Sequence, residues 1–530
     1  MTNQILSWVS ICGLYLILIG NAGTPSIYIL DEARNAGCAR EMKENNEWIV
    51  PTFNYELRVE KPILHYYFMR AGFSLFGVNA WGARAPSIFF GLLTLIITYV
   101  FGREFWGRGA AIGAILVLLS SFHFLLQFQL AVPDPYLVFF INGAFFSFFC
   151  YFKKRKRLFL VLLYLSMALG MLTKGPIALV LPAFTILAFL VVSRKLNLGE
   201  IKALHLIPGI LLFLIIALPW HILVHKATAG EWTQGFFFKH NIERFSSTME
   251  GHGGAPFYPF LFFFAGMLPF IFFLLPAFRF YQKKAWDTTS LYLSLIVVIT
   301  LGFFSISQTQ LPNYIVPAYP AFAILMGRYL FSLWRSTGVN TGLRLSLLLY
   351  TIVMAILPFV VKKGLEAEPP LTALSELGYY FFILPLGGFT AVIFSLRRKY
   401  HFSILSLAVS WMLCSFFFFY ILFPKFAQQN PVSLSASVIE KERSFAYFHR
   451  YNQAFAFFLK KPIESVKDKK EIMTFFENHR NGYVLTTKKK FRQHAEEWEG
   501  VETNIVFEGK DLMENPTTLI LAKDPLDRVR

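Results

Sequence analysis

Usable cysteine and negative charge are what this sequence has least of. The four cysteines, Cys12, Cys38, Cys150 and Cys414, are scattered through 530 residues. None form pairs at disulfide-framework or metal-site spacing, so neither kind of staple is expected. Charged residues are only 15% of the chain, and acids are the scarcer sign, 32 against 50 Lys and Arg. No Gly-rich loop of the phosphate-cradling kind occurs, which argues against chemistry driven by a nucleotide. No HxxxH spacing marks a metal helix, and no internal repeat points to a solenoid.

What is present is apolar. Hydrophobic residues reach 55%, with 61 Phe, and the mean hydropathy is +0.50. That is too greasy for an ordinary soluble domain, so the chain is expected to be an α-helical, polytopic integral membrane protein. Thirteen segments of near-bilayer length are expected, from 5–22 to 402–423, with the pairs flanking Asp134 and Lys174 the closest spaced. The first segment reads as a span rather than a cleaved leader, because it has neither a charged start nor a small-residue cleavage site. The net charge of +18 belongs to basic clusters in loops beside the spans, so no nucleic-acid partner is expected.

Those clusters orient the chain. With the N-terminus in the cytoplasm, eighteen Lys and Arg fall in or beside short inside loops, among them the run Lys153 to Arg157, against Lys174, Lys362 and Lys363 outside. The stretch 23–83, the turns at 133–135, 173–176 and 308–314, the loop 225–256 and the tail after 424 then share the outer face. Residues 1–423 are expected to form the membrane module and 424–530 a small α/β domain outside it, with helical patterns at 468–478 and 489–498 and strands near Tyr483–Leu485 and Thr518–Leu521. The aromatic segment 444–462 is expected to pack on that domain or lie on the membrane surface.

The outer face carries the candidate chemistry. Asp31, Glu32, Glu60, Asp134 and Glu243 lie at ends of apolar segments, where an acid is costly and usually has a task. Asp31 is readable as a helix cap or as a general base toward a hydroxyl, and the small residues Ala33, Ala36 and Gly37 after it would let its helix dock closely. Asp134 reads as a turn residue or a second acid. Pro62 suits the first turn of a helix, which would put Lys61 at a helix N-terminus that invites an anion. Arg58, Lys61, Lys174, Lys239 and Arg244 read singly as interface anchors, and together as a phosphate site with Tyr314 as a hydroxyl donor. His240 and His252 read as hydrogen-bonded structural histidines or, with Glu60, as metal ligands. The aromatic run Phe236–Phe238 faces lipid, core or a polyprenyl groove. An acid opposite several cations at a membrane surface fits sugar transfer from a lipid phosphate, with the cations stabilising the leaving phosphate.

Several motifs occur in order over most of the first 320 residues. They are Asp31-Glu32-Ala33-Arg34, Glu60-Lys61-Pro62, Arg84-Ala85-Pro86-Ser87, Asp134-Pro135, Thr173-Lys174-Gly175-Pro176, Asn241-Ile242-Glu243-Arg244-Phe245, Ala255-Pro256-Phe257-Tyr258 and the stretch from Leu311 to Pro317. Together they resemble the bacterial aminoarabinose transferases of lipid A, glycosyltransferase family 83, within the protein-mannosyltransferase-like group of the GT-C superfamily. The resemblance implies a GT-C fold of about thirteen spans with a periplasmic C-terminal domain. It implies inverting transfer of a sugar from undecaprenyl phosphate to a lipid A, glycan or protein acceptor at the periplasmic face of the bacterial inner membrane. Asp31 would activate the acceptor, Asp134 would support the pocket, and Lys61, Arg244 and Tyr314, with Arg58 beside them, would hold the lipid phosphate. A zinc ion on Glu60 and His240 is the implied metal. The chain is expected to act as a monomer. The rival reading is a transporter or flippase of lipid-linked sugars, which would place polar residues in broken helices at mid-bilayer and in paired repeats.

Overall fold

A computed structural model describes residues 2–243, 254–512 and 516–523. Among the described residues nine helices are long and apolar enough to cross a bilayer, or ten if the bent pair Tyr258–Gly266 and Phe270–Lys283 is one span. The chain is thus a multi-pass membrane protein. Helices α1 (Thr2–Ile19), α2 (Leu30–Glu44), α3 (Leu64–Phe76), α4 (Ala80–Ser120), α5 (Phe122–Gln127), α6 (Asp134–Lys154), α7 (Arg157–Lys174) and α8 (Ile177–Val192) open the fold. The sequence predicts thirteen spans where the described residues show nine or ten, and the expected spans 84–101 and 109–130 fall largely on one helical run, α4. Helix α4 runs for 41 residues and carries a non-helical Gly107 at φ 82°. A straight helix of that length would reach about 60 Å, roughly twice the hydrocarbon thickness. The break at Gly107 falls between the two expected spans.

The polar stretch between α1 and α4 folds by short-range rules. Helix α2 starts without a side-chain cap, but Asp31 and Glu32 occupy its first turn, where negative charge suits the free N–H groups. Its small face is buried at Ala33, Ala36 and Ala39. A Cβ on Gly37 would meet the Phe53 ring at 2.9 Å, so glycine lets the hairpin β1 (Thr52–Phe53) and β2 (Glu56–Leu57) lie against the helix. Buried Glu41 holds that hairpin. Its carboxylate accepts from the Asn54 and Tyr55 amides at 2.8 and 3.0 Å and from the Thr52 hydroxyl at 2.9 Å. Asn54 and Tyr55 both take positive φ, as a two-residue hairpin turn requires.

Helix α3 begins at Leu64, with Ile63 as its cap. Pro62 and Lys61 therefore both precede the cap, so Pro62 is not in the first turn and Lys61 is not at the helix N-terminus. That corrects the expectation from Pro62, which fixes only its own backbone angle and does not force the next residue into the helix.

The C-terminal region is a five-stranded sheet in the order β4-β3-β5-β7-β6. Its strands are β3 (Phe445–Phe448), β4 (Glu464–Val466), β5 (Tyr483–Thr487), β6 (Asn504–Lys510) and β7 (Thr517–Ala522). Strands β3, β4 and β5 are parallel, and β7 pairs antiparallel with β5 and β6. Strand side chains alternate between faces. Tyr483, Leu485, Ile520 and Ala522 share a core with α2 and with Ala454–Leu459, while Val484, Leu519 and Leu521 pack with Ile472, Phe475 and Trp498 on the other face. Segment 444–462 thus enters the core instead of lying on lipid. The helix Leu206–Ala227 leaves most of its apolar side chains exposed, as a lipid-facing span does, whereas α6 is almost wholly buried.

Candidate active site at one end of the bundle

Helix ends from distant parts of the chain meet around a cavity of about 540 Å³. Leu137, Ile141, Ile177, Val180 and Phe304 line its apolar side, and Lys61, Asp134, Lys174, Asn313 and Tyr314 its polar end. The polar end is held together by contacts that the linear sequence separates widely. Lys174, the last residue of α7, binds Asp134 at the start of α6 at 2.6 Å, with side-chain exposures of 14% and 7%. The same ammonium sits 4.7 Å from the centre of the Tyr314 ring, a cation–π distance. Buried Asn142 of α6 donates to the Pro317 carbonyl at 3.1 Å and so fixes the turn that carries Tyr314. Phe236 and Phe237 line the cavity, while Phe238 is exposed.

Asp31 is not one of the lining residues. It stands beside Lys61 with its surface open to solvent, yet protein atoms surround it closely enough for desolvation to act on its carboxyl. Desolvation would raise the pKa. The charges of Lys61, Arg58, Arg34 and Lys174, in that order, outweigh it and hold the carboxyl below its usual range. Asp31 is therefore a carboxylate in a positive field. Asn35 fixes its surroundings: its amide nitrogen donates to the Asp31 carbonyl at 2.7 Å, and its side-chain oxygen accepts from Arg58 and faces His65 Nε2, both at 3.2 Å. Burial, then Arg58 and Lys61, hold the His65 pKa well below the usual value, so this ring is neutral.

Arg58, expected among the phosphate-binding cations, does not line the cavity. Its side chain is 3% exposed and contacts Glu60 at 3.4 Å. It acts on Asp31 through its field. Glu60 and His240 do line the cavity. Burial raises the Glu60 pKa, but Arg58 foremost, and His240 further down, bring it below the usual value. Two candidate ligands with a guanidinium beside one of them fall short of the three or four protein ligands zinc takes. Among the described residues no group of three His, Cys, Asp or Glu is placed to hold a metal. Among the described residues Glu60 and His240 by themselves therefore do not make up a metal centre. Arg244 and His252 lie outside the described residues. Lys174, one of the cations read from the sequence as a phosphate site, is brought to the cavity beside Asp134; its pairing with that acid is what the sequence did not show.

Known proteins resemble this chain in sequence and in fold. Residues 32–233 match the family of dolichyl-phosphate-mannose-protein mannosyltransferases. A relative from Pseudomonas fluorescens, an undecaprenyl phosphate-alpha-4-amino-4-deoxy-L-arabinose arabinosyl transferase, is 32% identical over 332 residues, covering 60% of this chain and 58% of its own length. One of the same name from Pseudomonas aeruginosa is 27% identical, covering 71% of this chain and 68% of its own. The crystal structure of ArnT from Cupriavidus metallidurans bound to undecaprenyl phosphate superposes with a TM-score of 0.83 over 98% of both chains at 20% identity. At that identity the likeness is one of fold.

Proposed function

The chain is aminoarabinose-transferase-like in sequence and of the GT-C type in fold, and on that premise we propose that it moves a sugar from a polyprenyl phosphate to an acceptor hydroxyl. The observation that carries the reading is the pairing of an ionised Asp31 with the cationic end of an apolar cavity. The apolar wall suits a polyprenyl chain. Lys61, Lys174 and Tyr314 suit its phosphate, and Arg244 is assigned to the same task from the sequence motif.

In this reaction Asp31 takes the proton of the attacking hydroxyl. The hydroxyl oxygen bonds to the anomeric carbon on the face opposite the phosphate, and the bond from that carbon to the phosphate oxygen breaks. The electron pair leaves with the lipid phosphate, whose added negative charge the cations stabilise. The paired Asp134 keeps Lys174 oriented. We further assign the cavity and the C-terminal domain to the periplasmic side of a bacterial inner membrane, with the N-terminus in the cytoplasm, from the loop charges. Lipid A, a glycan and a protein are the acceptor classes to test. A flippase is disfavoured because the polar groups collect at one end of the bundle.

Mass spectra of surface glycolipids and glycoproteins from cells with and without the gene test the reading, and unchanged spectra would sink it. Lys61→Ala should insert normally and lose roughly 100-fold in transfer, the scale of removing one preplaced charge-stabilising donor. Initial rates with an undecaprenyl-phosphate sugar measure it, and a native rate removes Lys61 from the site.

The pH profile gives a second check. Lys61 is the largest of the cations holding the Asp31 pKa down, so the native rate should fall only when pH drops through that lowered pKa. In Lys61→Gln the carboxyl protonates more readily, and the acid limb of kcat/KM should begin at higher pH. An acid limb that does not move contradicts the pairing.

A further inference from the structure

The helix Tyr319–Trp334 leaves the Tyr314 turn and runs for 16 residues, about 24 Å at the usual rise. Its far end walls a cleft of about 530 Å³ that sugar transfer does not use. Arg279, Lys283, Tyr329, Ser332, Ser336 and Asn340 form the polar lining, with Phe280 and Leu333 beside them. Among the described residues neither Arg279 nor Lys283 is held in an ion pair. Asp287, the acid nearest them in the sequence, is taken by Arg328 at 2.9 Å and by the Trp106 indole at 3.2 Å.

Hydrogen bonds fix the walls of this cleft. The Tyr281 hydroxyl donates to the Leu325 carbonyl at 2.7 Å, which fastens the segment bearing Arg279 and Lys283 to the helix Tyr319–Trp334. The Tyr400 hydroxyl donates to the Gly338 carbonyl at 2.6 Å and accepts from the Asn340 amide at 3.0 Å, so the loop that closes the cleft is held at both its ends. Asn340 caps the helix Thr341–Glu366 through the Leu343 amide at 2.9 Å. That helix has no acid in its first turn, and its Gly342 lines the cleft, so the partial positive charge of a helix N-terminus adds to the two cations. Tyr329 is 2% exposed, and its hydroxyl, with the Asn340 side chain nearby, makes no hydrogen bond of ordinary geometry. A buried hydroxyl is costly to leave unmatched, and an anionic oxygen in the cleft would match it.

We propose that this cleft holds the phosphodiester headgroup of an anionic phospholipid, drawn from the leaflet opposite the transfer site. Arg279 and Lys283 pair with the phosphate and the Tyr329 hydroxyl donates to it. The acyl chains run over the exposed apolar side chains of the same elements, Leu275, Phe278 and Leu345. That continuous apolar surface favours a lipid over a soluble anion. Basic pockets between spans take anionic headgroups by the same physics. A zwitterionic headgroup would bring its own ammonium against two cations and a helix N-terminus, so net negative charge is required. Because the headgroup touches three elements at once, its binding stabilises the folded bundle.

The test uses the full chain in detergent, native and as R279Q/K283Q and Y329F, with phosphatidylglycerol, phosphatidylethanolamine and glycerol phosphate as probes. Native mass spectrometry measures bound lipid, and thermal unfolding measures stabilisation. Phosphatidylglycerol should bind the native chain and raise its Tm. It should bind about thirtyfold more weakly to R279Q/K283Q, the loss expected for two cations beside a charged headgroup, and about fivefold more weakly to Y329F. Phosphatidylethanolamine and glycerol phosphate should bind weakly to all three. Equal phosphatidylglycerol binding by native protein and R279Q/K283Q overturns the proposal. So does phosphatidylethanolamine binding as well as phosphatidylglycerol. Glycerol phosphate displacing the lipid at equal concentration also overturns it, since the cleft would then serve a soluble anion. Should R279Q/K283Q fail to fold, Y329F decides, because it removes one hydroxyl and no charge, and undiminished binding there counts against the site.

Discussion

Asp31→Asn is expected to cut sugar transfer by roughly 10²–10⁴-fold, the range for loss of a positioned general base, while the protein inserts, folds and binds lipid phosphate as before. The amide keeps the shape of the carboxylate and removes only its charge and basicity. Were Asp31 merely a favourable charge in the first turn of α2, the exchange would cost about 0.3–1 kcal/mol of stability and leave the rate alone. It is not the helix cap, since Ile29 holds that position without a side-chain bond. Asn35 bonds its carbonyl rather than its carboxylate, so that bond does not depend on the acid. Rates with a polyprenyl-phosphate sugar, compared at equal folded protein, decide the matter. Retention of transfer within a few-fold would take the base role from Asp31, and Asp134 would be the next acid to test.

Which parts of this arrangement a reader of the sequence sees depends on how far apart the contacting residues lie. Helix α2 and its small face at Ala33, Ala36 and Gly37 are legible because helical spacing is local. So are β5, β7 and the helix Lys469–Asn478, whose alternation and periodicity are short-range signals. The site is legible only as a set of candidates. Nothing local says that Lys61, Lys174 and Tyr314 share one cavity, because a lone Lys at the end of a span is ordinarily an interface anchor. Nor does sequence separate Arg58 from Lys61. Both are cations three residues apart, yet Arg58 turns inward under α2 to Asn35 and Glu60, while Lys61 reaches the cavity. The break between the expected spans 84–101 and 109–130 is legible only in outline. Gly107 divides α4 through a positive φ, which hydropathy reads only as a short gap.

The neighbouring acids Asp31 and Glu32 show the same limit most sharply, and they lead to the second large effect. Successive helix residues point about 100° apart, so one acid of the pair faces solvent and the other the interior. Glu32 is wholly buried. Arg84 of α4 grips it with two parallel bonds, Nε to Oε1 at 2.8 Å and Nη2 to Oε2 at 2.7 Å. The Ala131 amide adds a third at 2.7 Å. The same guanidinium donates to the carbonyls of Ala22 and Pro25 at 2.7 and 2.6 Å, tying the end of α1, the start of α2 and the turn before α6 into one joint.

Arg84→Ala leaves a buried carboxylate without its cation and those carbonyls without a donor, which is expected to cost about 3–5 kcal/mol. Glu32→Gln, which keeps an acceptor for the Ala131 amide and the volume of the side chain, should cost less. Thermal unfolding in detergent orders the two, and transfer normalised to folded protein separates them from the site variants. Arg84→Ala should lose activity in step with folded protein. Asp31→Asn should lose activity at an unchanged Tm. A Tm for Arg84→Ala equal to the native value would show that the joint does not hold α2 in place, and the position of Asp31 would then need another cause.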